Sequence, residues 1–154
     1  MIRIIVSEQK LYHRRKTGVI RTYPISTASK GVGNVQGSLQ TPLGKHRIYE
    51  KIGEHEPKNT VFIGREALGK YTNDIKHMRD DWILSRILWL EGLEQGVNRG
   101  GEVDTRTRYI YIHGTDAEDL IGQPASHGCI RMCNDDVIDL FEHVEPGERV
   151  LIKA

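Results

Sequence analysis

A mainly β single domain with one firm helix is the fold class the sequence predicts, on three observations. Short runs of β-branched and aromatic residues interleaved with polar ones recur along the chain. Glycines and prolines punctuate those runs as turns would. Only one segment, near the C-terminus, combines apolar residues at helical spacing with start and stop signals. The 154 residues suit one domain spanning 1–154, large enough to bury about 68 to 70% of the surface its unfolded chain exposes. No repeat, low-complexity tract or linker divides it.

Taken in order, "IRIIVSEQKLYHRR" and "GVIRTYPIST" alternate as strands do around Lys16, Thr17 and Gly18, which predicts an opening β-hairpin. The glycine-rich stretch through Pro42 and Gly44 reads as a loop leading into the strand "HRIYEKI". "NTVFIG" is a short buried strand, and "REALGKYTNDIKHMRDD" a polar excursion with room for a helical turn. "WILSRILWLEGL" fits both periods, since Ile83, Ile87 and Leu90 are helically spaced while Ile87 and Trp89 alternate; its flanking glycines and β-branched content favour a strand. Its tryptophan, Trp89, is expected in the core. "RYIYIHGT" alternates tyrosine and histidine against isoleucine and ends at Gly114, so His113 sits at a strand's end. "NDDVIDLFEHV" offers Asn134 as N-cap, acids in the first turn, and Val137, Leu140, Phe141 and Val144 on one face. Pro146 and Gly147 stop that helix, and "ERVLIK" closes the chain as a strand.

Composition excludes several classes. Twenty-two basic against 21 acidic residues leave a net charge of +1 with no long basic run, so nothing advertises nucleic acid or an anionic membrane. Cys129 and Cys133 are too few and too close for a disulfide scaffold. The N-terminal apolar run "IIV" is too short for a signal peptide, and "WILSRILWL" is interrupted by Ser85 and Arg86. The expected location is cytoplasmic, or periplasmic if a leader has been removed. His13, His46, His55, His77 and His143 lie in polar surroundings and are expected to be solvated.

The chemistry concentrates in "ASHGCIRM", residues 125–132. A cysteine nucleophile needs a base, a group to orient that base, and donors for an oxyanion. His113 and His127 are candidate bases if the strand end folds beside the loop. Gly128 lets backbone N–H groups approach a carbonyl. Arg131 and a following helix would depress the thiol pKa, and Arg131 is also suited to hold a carboxylate. Two other readings stand beside this one: a buried structural thiol, and a zinc site of His113, His127, Cys129 and Cys133, whose spacing is not a common one. Cys133 reads as a small apolar filler.

The stretch "YIHGTDAEDLIGQPASHGCIRM", with 16 positions from His113 to Cys129, closely resembles the catalytic stretch of the L,D-transpeptidase (YkuD) catalytic domain family. "KLYHRRKTGVIRTYPISTA" and "TPLGKHRI" are similar to its opening hairpin and Thr-Pro-x-Gly loop, and residues 53–105 are the least typical. The resemblance implies a β-sandwich-like fold with one helix after the catalytic cysteine, and no metal or cofactor. It implies Cys129 as nucleophile, His113 as general base oriented by the Gly114 carbonyl, and an oxyanion hole from His127, Gly128 and the Cys129 backbone. Ser126 would support the loop at the substrate, and Arg131 would hold a substrate carboxylate, although some members have asparagine there. The substrate implied is a peptidoglycan stem tetrapeptide or muropeptide, cut between diaminopimelate and D-alanine. The expected activity is that of a cytoplasmic L,D-carboxypeptidase in murein recycling. The alternatives are a transpeptidase forming 3→3 cross-links and an inactive stem-peptide-binding module. Carbapenem-type inhibitors are expected to acylate Cys129, and a lid is expected within 53–105.

Overall fold

The computed structural model describes residues 1–154. Ten strands form one sheet: β1 (Ile2–Ile5), β2 (Lys10–Arg14), β3 (Ile20–Ser26), β4 (Gly44–Ile52), β5 (Thr60–Ile63), β6 (Glu66–Lys70), β7 (Ile83–Gly92), β8 (Tyr111–Gly114), β9 (Ile130–Met132) and β10 (Arg149–Lys153). The single α-helix, α1, is Asn134–Glu142. The strand order is β4-β10-β1-β2-β3-β9-β8-β7-β5-β6, and β4 also pairs with β7. Eight strands therefore close on themselves in a barrel-like sandwich, and the β5–β6 hairpin hangs outside from β7. The fold is mainly β with one helix, as the sequence leads one to expect.

Alternation explains the core. Ile2 and Ile4 of β1, Leu11 of β2, Ile112 of β8, Ile130 and Met132 of β9 and Ile152 of β10 are all buried in one cluster. Val137, Leu140, Phe141 and Val144 join it from the helix and its C-terminal edge. Each such side chain contributes about 1.5–3 kcal/mol by leaving water. β7 is buried along most of its length because Leu88 and Leu90 face this core while Ile87 packs with Phe62 and Tyr111 on the other side. A strand covered on both faces loses its alternation, which is why its periodicity was ambiguous.

The parallel pair β8–β9 matters most for the site. Parallel neighbours cannot be joined by a tight turn and need a crossover; residues 115–129 are that crossover. It returns the chain so that His113 pairs with Arg131 and Ile112 with Ile130.

Several expectations are corrected. The opening run is two strands, β1 and β2, split by a 3-10 turn at Val6–Glu8 in which Gln9 adopts φ 52° and turns the chain back, so the domain opens with three antiparallel strands. The polar excursion holds β6 and a 3-10 segment, Asn73–Met78. The residue at the N-cap is Cys133, without a side-chain cap, and Asn134 is the first helical residue. His13 and His46 are fully buried: His13 Nε2 lies 2.7 Å from Glu148 and His46 Nε2 2.9 Å from the Thr105 hydroxyl. Trp89 is only half-buried, whereas Trp82 is the buried tryptophan.

Candidate active site

On β8 and β9 the core-facing positions are Ile112, Ile130 and Met132, with Ile110 just before β8 on the same side, which leaves Tyr111, His113 and Arg131 on the opposite face. Cys129 joins them one step before β9. The Tyr111 N–H donates to Cys129 Sγ at 3.3 Å, and the thiol donates to the Tyr109 carbonyl at 3.4 Å. Tyr109 reaches that position with φ 57°, a conformation costly for a bulky side chain. His113 Nδ1 donates to the Gly114 carbonyl at 2.5 Å, so in the neutral ring Nε2 carries the lone pair. Nε2 is buried and has no partner. Unpaired buried polar atoms are rare, and this one keeps its lone pair open to a proton donor.

Gly114 has room for no side chain, because an added Cβ would strike Asn134 Oδ1 and lie 2.6 Å from the Leu84 carbonyl. Asn134 fastens the region: its N–H donates to Glu118, its Nδ2 to the Thr115 carbonyl at 2.8 Å, and its Oδ1 accepts from Ser85 Oγ at 2.6 Å. Ser85, with φ 71°, lies where the β7–β8 register shifts.

The 126–129 loop is tied down by Ser126, whose hydroxyl donates to the Cys129 carbonyl at 2.5 Å and accepts the Gly128 N–H at 3.2 Å. Thr41, from the Thr-Pro-x-Gly loop, donates to the Gly128 carbonyl at 3.0 Å. Gly128 has φ +132°, unfavourable for any other residue. The Gly128 amide is therefore engaged, whereas the N–H groups of His127 and Cys129 donate to no protein acceptor. Expected as a joint donor set, these three residues offer two free amides, with Gly128 supplying the turn. Ser126 is buried and acts on the loop itself, away from the cavity.

Cys129 opens onto a cavity of about 400 Å³ lined by Gly64, Arg65, Asp81, Ile83, Arg108, Tyr109, Ile110, Tyr111 and His127. A second, of about 310 Å³, shares Arg108, Tyr109, Ile110 and His127 with the first. The thiol is packed deeply enough that burial pushes its pKa up to about 12, against the smaller opposing pull of the Tyr111 N–H and of Arg131 and Arg108. Burial likewise lowers the His113 pKa. The resting pair is thus a neutral thiol and a neutral imidazole. The direction is opposite to the expected depression, because burial outweighs the downward pull that Arg131 still exerts.

Arg131 is only 5% exposed; its Nη2 bonds Asp81 at 2.8 Å and its Nη1 the Ala125 carbonyl at 3.2 Å. Arg131, expected to hold a substrate carboxylate, is here paired with Asp81 and with the Ala125 carbonyl of the loop. The cations at the cavity are Arg65 and Arg108, which sequence reasoning missed. Arg65 sits in the two-residue β5–β6 turn, where Gly64 and Arg65 have φ 55° and 67°, as a type I′ hairpin requires. Its guanidinium lies 4.6 Å from the Trp89 ring and 5.3 Å from the Tyr109 ring, and donates to Tyr111 Oη at 3.1 Å. The β5–β6 hairpin thereby straps across one side of the cavity, within the 53–105 region. His113, His127, Cys129 and Cys133 do not gather as a four-donor metal set.

The family model described as the L,D-transpeptidase catalytic domain, YkuD, matches residues 1–152. The chain belongs to this family. Over 45 residues it is 53% identical to the probable L,D-transpeptidase ErfK/SrfK of Salmonella typhimurium, a match covering 29% of this chain and 15% of that protein. Among solved structures, an L,D-transpeptidase from Mycobacterium smegmatis aligns with TM-score 0.56 and 19% identity over 99% of this chain and 58% of the other. L,D-transpeptidase 3 from Mycobacterium tuberculosis, in complex with a faropenem-derived adduct, gives 0.57 and 15% over 99% and 59%. The chain thus spans less than two thirds of these L,D-transpeptidase relatives, and at such identities the structures show a shared fold.

Proposed function

We propose that this L,D-transpeptidase-family chain is a cysteine acyltransferase that opens the bond between diaminopimelate and D-alanine in peptidoglycan tetrapeptides. The observation that carries the reading is the Cys129 thiol on one sheet face with an unpartnered imidazole nitrogen, at the wall of a cavity and beside two free amides. The sulfur attacks the carbonyl carbon as its proton passes to His113 Nε2, and the oxyanion is held by the His127 and Cys129 N–H groups. Collapse breaks the C–N bond, His113 returns the proton to the departing amine, and D-alanine leaves a thioester on Cys129. A neutral resting pair suits this sequence, since the proton moves only once substrate is in place.

Water completing the cycle would yield a tripeptide, an L,D-carboxypeptidase outcome fitting murein recycling in the cytoplasm. The second cavity sharing Arg108 and His127 favours a second reading, in which an amine acceptor enters there and a 3→3 cross-link forms outside the membrane. By the same chemistry, carbapenem-type β-lactams would acylate Cys129. Mass spectrometry after incubation with a disaccharide tetrapeptide separates the outcomes. A monomeric tripeptide that Cys129→Ala does not produce supports hydrolysis, and a cross-linked dimer supports transfer. An unchanged tetrapeptide would sink the acyltransferase reading in favour of a binding module.

A further inference from the structure

The cavity around Cys129 holds more positive charge than the protein itself neutralises. Its lining contributes two arginines, Arg65 and Arg108, and one carboxylate, Asp81. Asp81 is spent on Arg131 at 2.8 Å. Neither Arg65 nor Arg108 has a carboxylate within ion-pair distance, because the one carboxylate on the cavity wall is taken by Arg131. Arg108 is also half-buried, its guanidinium held by the Gln40 carbonyl at 2.7 Å and, more loosely, by the Gly33 carbonyl and Ser38 hydroxyl. Arg65 lies over the Trp89 and Tyr109 rings and donates to the Tyr111 hydroxyl. Guanidinium groups fixed by neutral partners keep N–H edges free for an anion, and the fork matches a carboxylate.

We propose that Arg65 and Arg108 are specificity-determining residues that read two separate carboxylates of one donor stem peptide, one on each side of the scissile bond. The inference rests on the acyltransferase reading and gives its substrate class: stems carrying free carboxylates, not their amidated forms. The placement of each arginine assigns its carboxylate. Arg108 lies where the two cavities meet, the side from which a leaving group departs and an acceptor arrives, so it takes the carboxylate of the terminal D-alanine. Arg65 lies on the strap beside the first cavity alone and takes the side-chain carboxylate of diaminopimelate.

The test is a crossed comparison of three disaccharide tetrapeptides: one with all carboxylates free, one with the terminal D-alanine amidated, and one with the diaminopimelate side-chain carboxylate amidated. Turnover is measured as kcat and KM for wild type, R108Q and R65Q, and binding by calorimetry to the same proteins carrying Cys129→Ala. A guanidinium–carboxylate pair lost from a partly buried site should cost about tenfold or more. The expected result is a wild-type preference of that size for the free peptide over each amide. R108Q should lose only the preference at the terminal carboxylate, and R65Q only that at diaminopimelate. Equal use of free and amidated peptides by wild type, or both preferences falling together in either variant, overturns the proposal. Absence of turnover with the binding preferences intact would refute the acyltransferase reading and leave the carboxylate assignment standing; absence of binding would refute the assignment too.

Discussion

Burial of both partners leaves Cys129 and His113 uncharged near neutrality, with consequences for pH dependence. In the proposed mechanism His113 must be neutral to accept the thiol proton, and its pKa is lowered from the ordinary 6.5. The acidic limb of kcat/KM is therefore expected below pH 6.5, and no rise is expected near 9.0, where an ordinary thiol titrates, because this one is displaced to about 12. A limb at 6.5 or above, or a step at 9.0, in a pH profile of tetrapeptide turnover would show that the pair is solvated. Stability carries the same sign. Between 6.5 and the lower folded value the unfolded chain binds a proton that folded His113 does not, so stability falls as the pH drops through that window. Cysteine, histidine and the glycines between them could be read from the sequence because they crowd into one motif. The destination of Arg131 could not, since Asp81 reaches it from 50 residues away. His13 was likewise misread, as its partner Glu148 lies 135 positions on.

At the scale of elements, the site depends on how closely β7, β8 and α1 approach at Gly114. Gly114→Ala inserts a Cβ against Asn134 Oδ1 and the Leu84 carbonyl. Overpacking of this kind costs about 1–3 kcal/mol, and here it also displaces the carbonyl that orients His113. A lower urea midpoint together with loss of the proposed tetrapeptide turnover is expected; an unchanged midpoint would mean the contact has slack. Strand β8 and helix α1 were legible because each keeps one clean period. Strand β9 was not, being three residues long and buried throughout, and so Cys129 was placed directly before the helix. Arg65 and Trp89 meet only because the β5–β6 hairpin folds back over β7, and no local pattern announces such a meeting. Arg108 was nearer to hand, standing just before the Tyr109–Gly114 alternation.

For the whole molecule, closure of the sheet ties distant parts of the chain into one cooperative unit. β10 is the link between β1 and β4, so deleting Arg149–Ala154 opens two sheet edges and takes Val150 and Ile152 out of the core. Loss of a cooperative urea transition, followed by tryptophan fluorescence, is the expected outcome; a truncated chain that still unfolds sharply would show that the ring can do without this strand. The same pairing has a topological side. Because β1 and β10 run parallel, with Ile2 beside Val150 and Ile5 beside Lys153, the two chain ends lie on neighbouring strands but at opposite ends of them. The gap between them is about one strand length, roughly 13 Å at the usual rise per residue. A short linker laid back along the surface would join the ends into a circle. The backbone could then be cut at another exposed turn, such as that at Thr17–Gly18, yielding a circular permutant with every strand pairing kept.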